Sequence, residues 1–244
     1  MLVEIKNRGV AGMGTVVKRL RESYISTLNH DLKIPAIAQM RALELLLNEN
    51  TGSINAVQKE ILNSTLESCR HMYDMLNSLS YSYKLENKDY ILNCEKTDIS
   101  KLFRQKFSNL NDKLKNKNVN LNLFCACNDL NAFIDRTQFN NAIDKILNYA
   151  IASSTNNQVI CELKKSANNV LISIVFQSSY ITTEKLKKLF SKYSTPCEKL
   201  DKVGSGLDLY LAKQIIKAHN GSVSISGKTN FNTVCVKLPA TNEY

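Results

Sequence analysis

Two long apolar stripes with helical spacing, separated by one turn, constrain the fold of this sequence more than any other feature. Apolar residues recur every three or four positions from Val16 to Asn50 and again from about Ile54 to Leu85. This spacing predicts two amphipathic helices, and Asn50-Thr51-Gly52 is typical of the turn between them. The stripes consist of Val17, Leu20, Tyr24, Leu28, Leu32, Met40, Leu43 and Leu47, and of Val57, Ile61, Met72, Leu76 and Leu79. A helical hairpin is therefore predicted over residues 15–87.

Pro35 lies inside the first stripe, where it removes one backbone donor. The stripe resumes in register beyond it, so we expect a local kink and not the end of the helix. Two helices of this length cannot bury a whole stripe against each other. Pairing with a second hairpin into a four-helix bundle solves this problem, and the sequence therefore predicts a homodimer.

The pattern changes near Asn87, where short alternating segments begin to follow helical ones. Strands are predicted over Tyr90–Cys94, Val119–Ala126, Val159–Leu163, Val170–Phe176, Ser222–Ser226 and Thr233–Leu238. Helices are predicted over Ile99–Lys115, Thr137–Ser153, Thr183–Tyr193 and Leu207–His219. The order favours an α+β domain over residues 88–244, with a mixed, mostly antiparallel sheet covered by helices. Residues 1–14 show little periodicity and are interpreted as a lead-in segment.

The composition excludes several classes of protein. The chain has 244 residues with only 8 Gly, 3 Pro and no Trp, which argues against a loop-rich all-β protein. Its net charge of +10 comes mostly from Lys interleaved with Asn, a pattern more typical of a solvated surface than of nucleic-acid readout. We expect no nucleic-acid partner. No apolar stretch has the length of a signal peptide or a membrane span, so we expect a cytoplasmic chain without a membrane span.

The seven cysteines predict neither disulfides nor a metal site. Cys125 and Cys127 form a Cys-x-Cys pair, whereas zinc usually takes a wider cysteine spacing together with a second ligand pair that the sequence lacks. We therefore expect no metal ion and interpret these cysteines as buried free thiols.

His30 lies about 200° around the first helix from Leu28, so it projects away from the apolar stripe. A surface histidine without a special role is the simplest interpretation of such a position. The surrounding run, Ser26-Thr27-Leu28-Asn29-His30-Asp31-Leu32-Lys33-Ile34-Pro35, resembles the phosphoacceptor box of sensor histidine kinases, usually Ser-His-Glu/Asp-Leu-Arg/Lys-Thr-Pro-Leu. The box matches at His30, Asp31, Leu32, Lys33 and Pro35. The resemblance in element order extends over about residues 15–239.

The resemblance implies that His30 is the phosphoacceptor and Asp31 its base, with Lys33 and Pro35 as supporting box residues. A neutral imidazole can attack phosphorus, because its pKa near 6.5 leaves it unprotonated in the cell. Family members with phosphatase activity place Thr or Asn four residues after the histidine to position a water. Ile34 occupies this place, and an aliphatic side chain cannot orient water, which argues against assisted dephosphorylation of a regulator.

The second domain resembles the Bergerat-type ATP-binding domain of the same kinases. Their helix motif, Asp-x-x-x-Leu-x-x-Val-Leu-x-Asn-Leu-Leu-x-Asn-Ala, aligns without gaps on Asp135–Ala150. Phe139, Ile143, Ile146, Leu147 and Ala150 keep the packing positions. Lys145 and Tyr149 replace the two asparagines, the second of which presents an oxygen to the magnesium ion in the family. A shift by one residue would restore Asn148 but would place every packing residue on the wrong face.

Two further motifs of the ATP site are altered as well. Asp-x-Gly-x-Gly-Ile falls on Phe176–Ile181, where Phe176 replaces the aspartate that binds adenine and Ser178 and Tyr180 replace glycines. Gly-x-Gly-Leu-Gly-Leu falls on Gly204–Leu209. This last box keeps Gly204, Gly206 and Leu207 before a helix N-terminus suited to phosphate, but Asp208 brings a negative charge to the place of the third glycine.

Loss of the adenine acceptor and of the metal ligand costs about 3 to 6 kcal/mol, or roughly 10²- to 10⁴-fold in affinity. The sequence thus predicts the core of a two-component sensor histidine kinase with a degenerate, pseudokinase-like nucleotide site. His30 would exchange phosphoryl groups with a response-regulator receiver domain or accept one from another histidine kinase. ATP and magnesium would be cofactors only if the altered site still works. An active ATP-dependent autokinase and a non-catalytic dimeric scaffold are the alternatives.

Overall fold

The computed structural model describes residues 27–86, 91–114, 119–127, 130–179, 181–191 and 207–241. The chain divides into two compact units, Met1–Asn87 and Lys88–Tyr244. The lead-in predicted over residues 1–14 lies outside the described residues. No helix in the described ranges is both long enough and apolar enough to cross a membrane.

The described part of the first unit is a helical hairpin. Helix α1 covers residues 27–47 and continues through Pro35, as predicted, and helix α2 covers Ala56–Glu86. A reciprocal pair of hydrogen bonds begins α2: the Asn55 side chain accepts from the Gln58 N–H at 2.8 Å, and the Gln58 side chain accepts from the Asn55 N–H at 2.9 Å. This capping box satisfies backbone donors that the first turn of a helix leaves open.

Burial in the hairpin departs from the predicted stripe. The buried residues of α1 are Asn29 and Ala36, whereas Leu28 and Leu32 are 45% and 46% exposed. The other large apolar residues exposed on the hairpin are Ile34, Leu45, Leu46, Val57, Ile61 and Met72. One hairpin covers only one side of each helix, so part of the apolar surface stays open in the single chain. The four-helix bundle that would cover it remains a prediction.

The described part of the second unit combines helices and strands, which confirms the α+β class. Its strands are β1 (Glu95–Asp98), β2 (Asn120–Cys125), β3 (Asn131–Ile134), β4 (Gln158–Ser166), β5 (Asn169–Gln177), β6 (Ser222–Lys228) and β7 (Phe231–Pro239). Its helices are α3 (Ile99–Leu114), α4 (Arg136–Ser153), α5 (Thr183–Lys188) and α6 (Asp208–Ala218).

Five of these strands form one mixed sheet in the order β2-β4-β5-β7-β6. The β2–β4 pair is parallel and the other neighbours are antiparallel, while β1 and β3 form a separate antiparallel pair. Alternate residues of the central strands are buried on one face: Val159, Cys161, Leu163, Val170, Ile172, Ile174, Phe176, Val234, Val236 and Leu238. Helix α4 contacts β4, β5 and α6, and α3 contacts β2. The predicted mostly antiparallel sheet covered by helices is confirmed.

The structure differs from the local predictions in several places. Residues 91–94 form no strand, and β1 begins only at Glu95. Strand β1 was missed because Glu95–Asp98 is a polar edge segment without apolar alternation. The short strand β3 was not predicted, since four residues carry too little periodicity. Cys127 is exposed and Cys125 half-buried, not buried as expected, because Cys127 lies beyond the end of β2.

Candidate functional site

The imidazole of His30 projects from α1 into solvent, and 74% of its side chain is exposed. Its Nδ1 lies 3.3 Å from Oδ1 of Asp31, whose side chain is 64% exposed. In the tautomer that carries the proton on Nδ1, this nitrogen donates to the carboxylate and the lone pair of Nε2 is left to react. The contact therefore sets a carboxylate beside one ring nitrogen of an exposed imidazole.

Lys33, Ile34 and Pro35 follow on the same helix. Burial lowers the pKa of Lys33, and the nearby ammonium of Lys84 on α2 lowers it further. Two ammonium groups close to each other create a positive potential on this part of the hairpin. Ile34 is 56% exposed and Pro35 is exposed, so neither belongs to the hairpin core.

Within the described part of the box, the buried residue is Asn29, which the sequence reasoning missed. Asn29 is 2% exposed, and its Nδ2 donates to the carbonyl oxygen of Leu76 on α2 at 2.8 Å. A usable signal was present, because Asn29 stands seven residues before Ala36 and hence on the same side of a helix. The hydrogen bond joins the helix that carries His30 to the other helix of the hairpin.

Helix α4 carries the first altered motif of the predicted nucleotide site. Asp135 caps the helix, with Oδ1 accepting from the Gln138 N–H at 3.0 Å. All five predicted packing residues, Phe139, Ile143, Ile146, Leu147 and Ala150, are at most 1% exposed. Asn148 is exposed instead. This burial favours the gapless alignment, in which Lys145 and Tyr149 occupy the asparagine positions.

Lys145 and Asp208, which replace an asparagine and a glycine of the family motifs, form an ion pair with each other. Lys145 Nζ lies 2.6 Å from Asp208 Oδ1, and the side chains are 22% and 50% exposed. Asp208 lies in the first turn of α6 after the buried Leu207, whose side chain makes no capping bond. A helix N-terminus favours negative charge, and a carboxylate of the chain itself supplies it here.

The rings of Tyr149 and Phe176 pack edge to face, with centroids 5.9 Å apart and an interplanar angle of 89°. Phe176 is 1% exposed at the end of β5, where it belongs to the core of the sheet. Tyr149 lies one helical turn after Lys145 on α4. The predicted metal-ligand and adenine positions are therefore joined by an aromatic contact, which an edge-to-face geometry stabilises.

Ser178, at the place of the first glycine of the second motif, is bound to the β6–β7 turn. Its N–H donates to the carbonyl of Asn230 at 2.9 Å, its hydroxyl donates to the carbonyl of Ser179 at 2.9 Å, and it accepts from Nδ2 of Asn232. Ser178 and Asn232 are 5% and 2% exposed. Sequence reasoning missed Asn232, because the contact spans 54 residues.

Three of the predicted pocket positions, Tyr180, Gly204 and Gly206, lie outside the residues that the structure describes. Four of the six described positions are brought together in two pairs. These are Lys145 with Asp208 and Tyr149 with Phe176.

His219 has a structural role at the C-terminal end of α6. Its Nε2 accepts from the Asp135 N–H at 2.9 Å, its Nδ1 bonds the Ile215 carbonyl at 2.8 Å, and it is 4% exposed. Burial lowers its pKa, although the Ile215 carbonyl and Asp135 act in the opposite direction. The ring therefore stays neutral and joins α6 to the start of α4.

The chain is similar in sequence to known proteins. Residues 134–242 match the family model described as histidine kinase-, DNA gyrase B-, and HSP90-like ATPase. Sensor histidine kinase YvrG of Bacillus subtilis is 22% identical over 227 residues, which cover 91% of this chain and 39% of YvrG. Sensor protein VanSC of Enterococcus gallinarum is 26% identical over 229 residues, covering 90% of this chain and 61% of VanSC. The chain thus spans less than two thirds of these relatives.

A solved structure supports the fold over the same range. Full-length ShkA in complex with AMPPNP superposes with a TM-score of 0.75 at 15% identity, over 91% of this chain and 46% of that chain. At this identity the likeness concerns the fold alone, and it confirms the Bergerat-type arrangement of the second unit.

Proposed function

We propose, on the premise that the chain belongs to the sensor histidine kinases with an ATPase domain, that His30 exchanges phosphoryl groups with the aspartate of a response-regulator receiver domain. The observation that carries the proposal is the exposed imidazole of His30, with Nδ1 beside Asp31 and Nε2 open to an incoming group. Another histidine kinase is the second possible source of the phosphoryl group.

The transfer follows from this geometry. The lone pair of His30 Nε2 attacks the phosphorus, a P–N bond forms, and the bond from phosphorus to the aspartate oxygen breaks. The electron pair returns to the carboxylate of the regulator. The ring gains positive charge as the bond forms, and the carboxylate of Asp31 beside Nδ1 stabilises it. The ammonium of Lys33 adds a positive potential near the transferred group.

The nucleotide site of the second unit, in this proposal, binds ATP and magnesium poorly or not at all. The ion pair between Lys145 and Asp208 and the contact between Tyr149 and Phe176 support it, because they engage four positions that bind nucleotide in the family motifs. The uncharged phenol of Tyr149 is a poor substitute for the amide oxygen that the family presents to magnesium at this position. An active ATP-dependent autokinase and a dimeric scaffold without catalysis are the two other functions that the test below distinguishes.

The proposed active form is a homodimer in the cytoplasm. The exposed Leu28, Leu32, Val57 and Ile61 of the hairpin support dimerisation, because a second hairpin would bury them in a four-helix bundle. The six described cysteines form no disulfide, which suits a reducing compartment.

The transfer is tested by mixing the full chain with a panel of phosphorylated receiver domains and measuring acid-labile label on the chain. We expect label on the wild type and on the matched variant His71→Gln of the same hairpin, and none on His30→Gln. Because glutamine keeps both positions polar, we expect both variants to fold, and circular dichroism checks this. Absence of label across the panel, or label that persists in His30→Gln, would refute His30 as the acceptor.

The nucleotide site is tested by calorimetric titration with magnesium and AMPPNP. We expect no saturable heat at micromolar concentrations, and at least about tenfold tighter binding when Tyr149→Asn restores the metal ligand of the family motif. Micromolar binding by the wild type, together with labelling by radioactive ATP that His30→Gln abolishes, would instead identify an active autokinase. A chain that signals in cells as well with His30→Gln as without it would be a scaffold.

A further inference from the structure

Asn29 precedes the candidate phosphoacceptor and connects the two helices of the hairpin. Its side chain is almost completely buried, and Nδ2 donates to the Leu76 carbonyl, 47 residues away in sequence, at 2.8 Å. The second polar atom of the same amide, Oδ1, is buried without a hydrogen-bond partner among the described residues. A buried acceptor of this kind weakens the fold, so stability alone does not account for an asparagine at this position.

We infer that Asn29 is a positioning residue, whose bond to Leu76 fixes the rotation and the height of α1 against α2 and thereby holds His30 on the outward face. This inference rests on the proposed role of His30 as phosphoacceptor. It adds a residue that acts through the backbone of its neighbour and does not touch the transferred group.

The geometry of a helix explains why the neighbouring position matters. Successive residues are about 100° apart, so a buried side chain at 29 directs the side chain at 30 away from the interface. Sliding or turning α1 would separate Nδ2 from the Leu76 carbonyl and leave a second polar atom unsatisfied inside the hairpin. Apolar contacts discriminate weakly between registers, whereas a single buried amide in a helix interface can specify one.

Other contacts of the hairpin are less suited to this task. Arg70 and Glu44 form an ion pair across it at 2.8 Å, but their side chains are 55% and 45% exposed. Exposed pairs contribute little and tolerate several geometries. Ala36, seven residues after Asn29, is fully buried, but its methyl group has no directional partner.

The test compares Asn29→Leu, Asn29→Gln and Asn63→Leu in the full chain. Leucine has the branched shape and the number of side-chain heavy atoms of asparagine but no polar atoms. Glutamine keeps the donor. Asn63 is the matched control, because it is exposed and its Nδ2 bonds the Lys59 carbonyl of its own helix at 2.8 Å. The chain has three histidines, so the imidazole signal of His30 can be followed by NMR and assigned with His30→Gln.

We expect one sharp His30 signal in the wild type, in Asn63→Leu and in Asn29→Gln. In Asn29→Leu the signal should split or broaden, because α1 samples several registers, while the thermal midpoint stays the same or rises. A sharp His30 signal at the wild-type position in Asn29→Leu would overturn the inference. So would broadening that is accompanied by a lower midpoint, because Asn29 would then serve stability only.

Phosphoryl transfer gives the second readout. In Asn29→Leu we expect transfer from a phosphorylated receiver domain to slow by about 10- to 100-fold, the effect of misplacing a reacting group by about an ångström. Asn29→Gln should stay close to the wild type. If the wild type takes up no label, the proposed function fails, and the NMR comparison still decides whether Asn29 sets the register. If wild type and Asn29→Leu label at equal rates, the inference fails and the proposed function stands.

Discussion

The two regions that resemble functional motifs differ in what their motif side chains contact, solvent in one and other side chains of the chain in the other. On the hairpin, His30 and Asp31 retain the family residues and are largely exposed. In the second unit, Lys145, Phe176 and Asp208 depart from the family residues and contact side chains of the chain itself. Under the proposed function, a site that meets a partner stays open to solvent, whereas positions that no longer bind a ligand become available to the fold. The comparison predicts that substitutions affect transfer in the first region and stability in the second.

The largest effect is expected for Phe176→Ala. Phe176 is 1% exposed and packs against Tyr149, so its removal should lower the free energy of unfolding by about 3–5 kcal/mol. Phe124→Ala is the control, since Phe124 is 58% exposed on β2, and it should cost less than about 1 kcal/mol. Urea denaturation of the two variants measures the difference. Equal and small losses would mean that Phe176 lines an open site after all.

Asp31→Asn tests the hairpin side of the comparison. The amide keeps the shape of the carboxylate but carries no charge to stabilise the ring, so phosphoryl transfer to His30 should slow by about 100-fold. The free energy of unfolding should be nearly unchanged, because the side chain is 64% exposed. Asp74→Asn, at an exposed position of α2, is the matched control. A transfer rate equal to that of the control would remove Asp31 from the chemistry.

Local periodicity was sufficient for most of the fold but not for contacts between distant residues. Strands β5 and β7 were predicted because alternate residues such as Ile172 and Val236 enter the core, and this signal is contained in each strand. Strand β1 was not predicted at its true position, because Glu95–Asp98 pairs at an edge and has no apolar alternation. An edge strand is specified by its partner, which in this case lies 33 or more residues away in the sequence.

The same difference between local patterns and distant contacts applies to the candidate sites. His30 was predicted to be exposed from its angle to Leu28 and is exposed, but Leu28 itself is 45% exposed and the buried neighbour is Asn29. The ion pair of Lys145 with Asp208 joins residues 63 apart, and no periodicity connects them. Lys145 and Asp208 replace two residues of the same family site and carry opposite charges, and this was the signal available in the sequence. The partner of Asn29 required the register of the hairpin, which the stripes alone did not determine.

The ion pair of Lys145 with Asp208 should have a smaller but measurable effect on stability. A double-mutant cycle with Lys145→Met and Asp208→Asn should give a coupling of about 0.5–1 kcal/mol, because Asp208 remains half exposed to screening solvent. The control cycle uses Lys164 and Glu162 on β4, which form a more exposed pair at 2.7 Å, and should give less coupling. Equal couplings in the two cycles would indicate that Lys145 and Asp208 form an ordinary surface pair.

The smallest effect is expected for the pH dependence that the buried ring of His219 gives to the free energy of unfolding. Burial lowers the pKa of His219 in the folded chain below its unfolded value of about 6.5. The unfolded chain therefore binds more protons near this pH. The stability that the neutral ring contributes is complete above about pH 6.5 and is lost as the pH falls toward the lowered pKa.

His219→Gln isolates this contribution. The glutamine oxygen can accept from the Asp135 N–H as Nε2 does, but it cannot titrate, and the bond to the Ile215 carbonyl is lost. The wild type should be more stable than the variant at pH 7.5, and this advantage should shrink by pH 5.5 in urea denaturation. A constant advantage of the wild type over this range would mean that burial does not lower the pKa of His219 below its unfolded value.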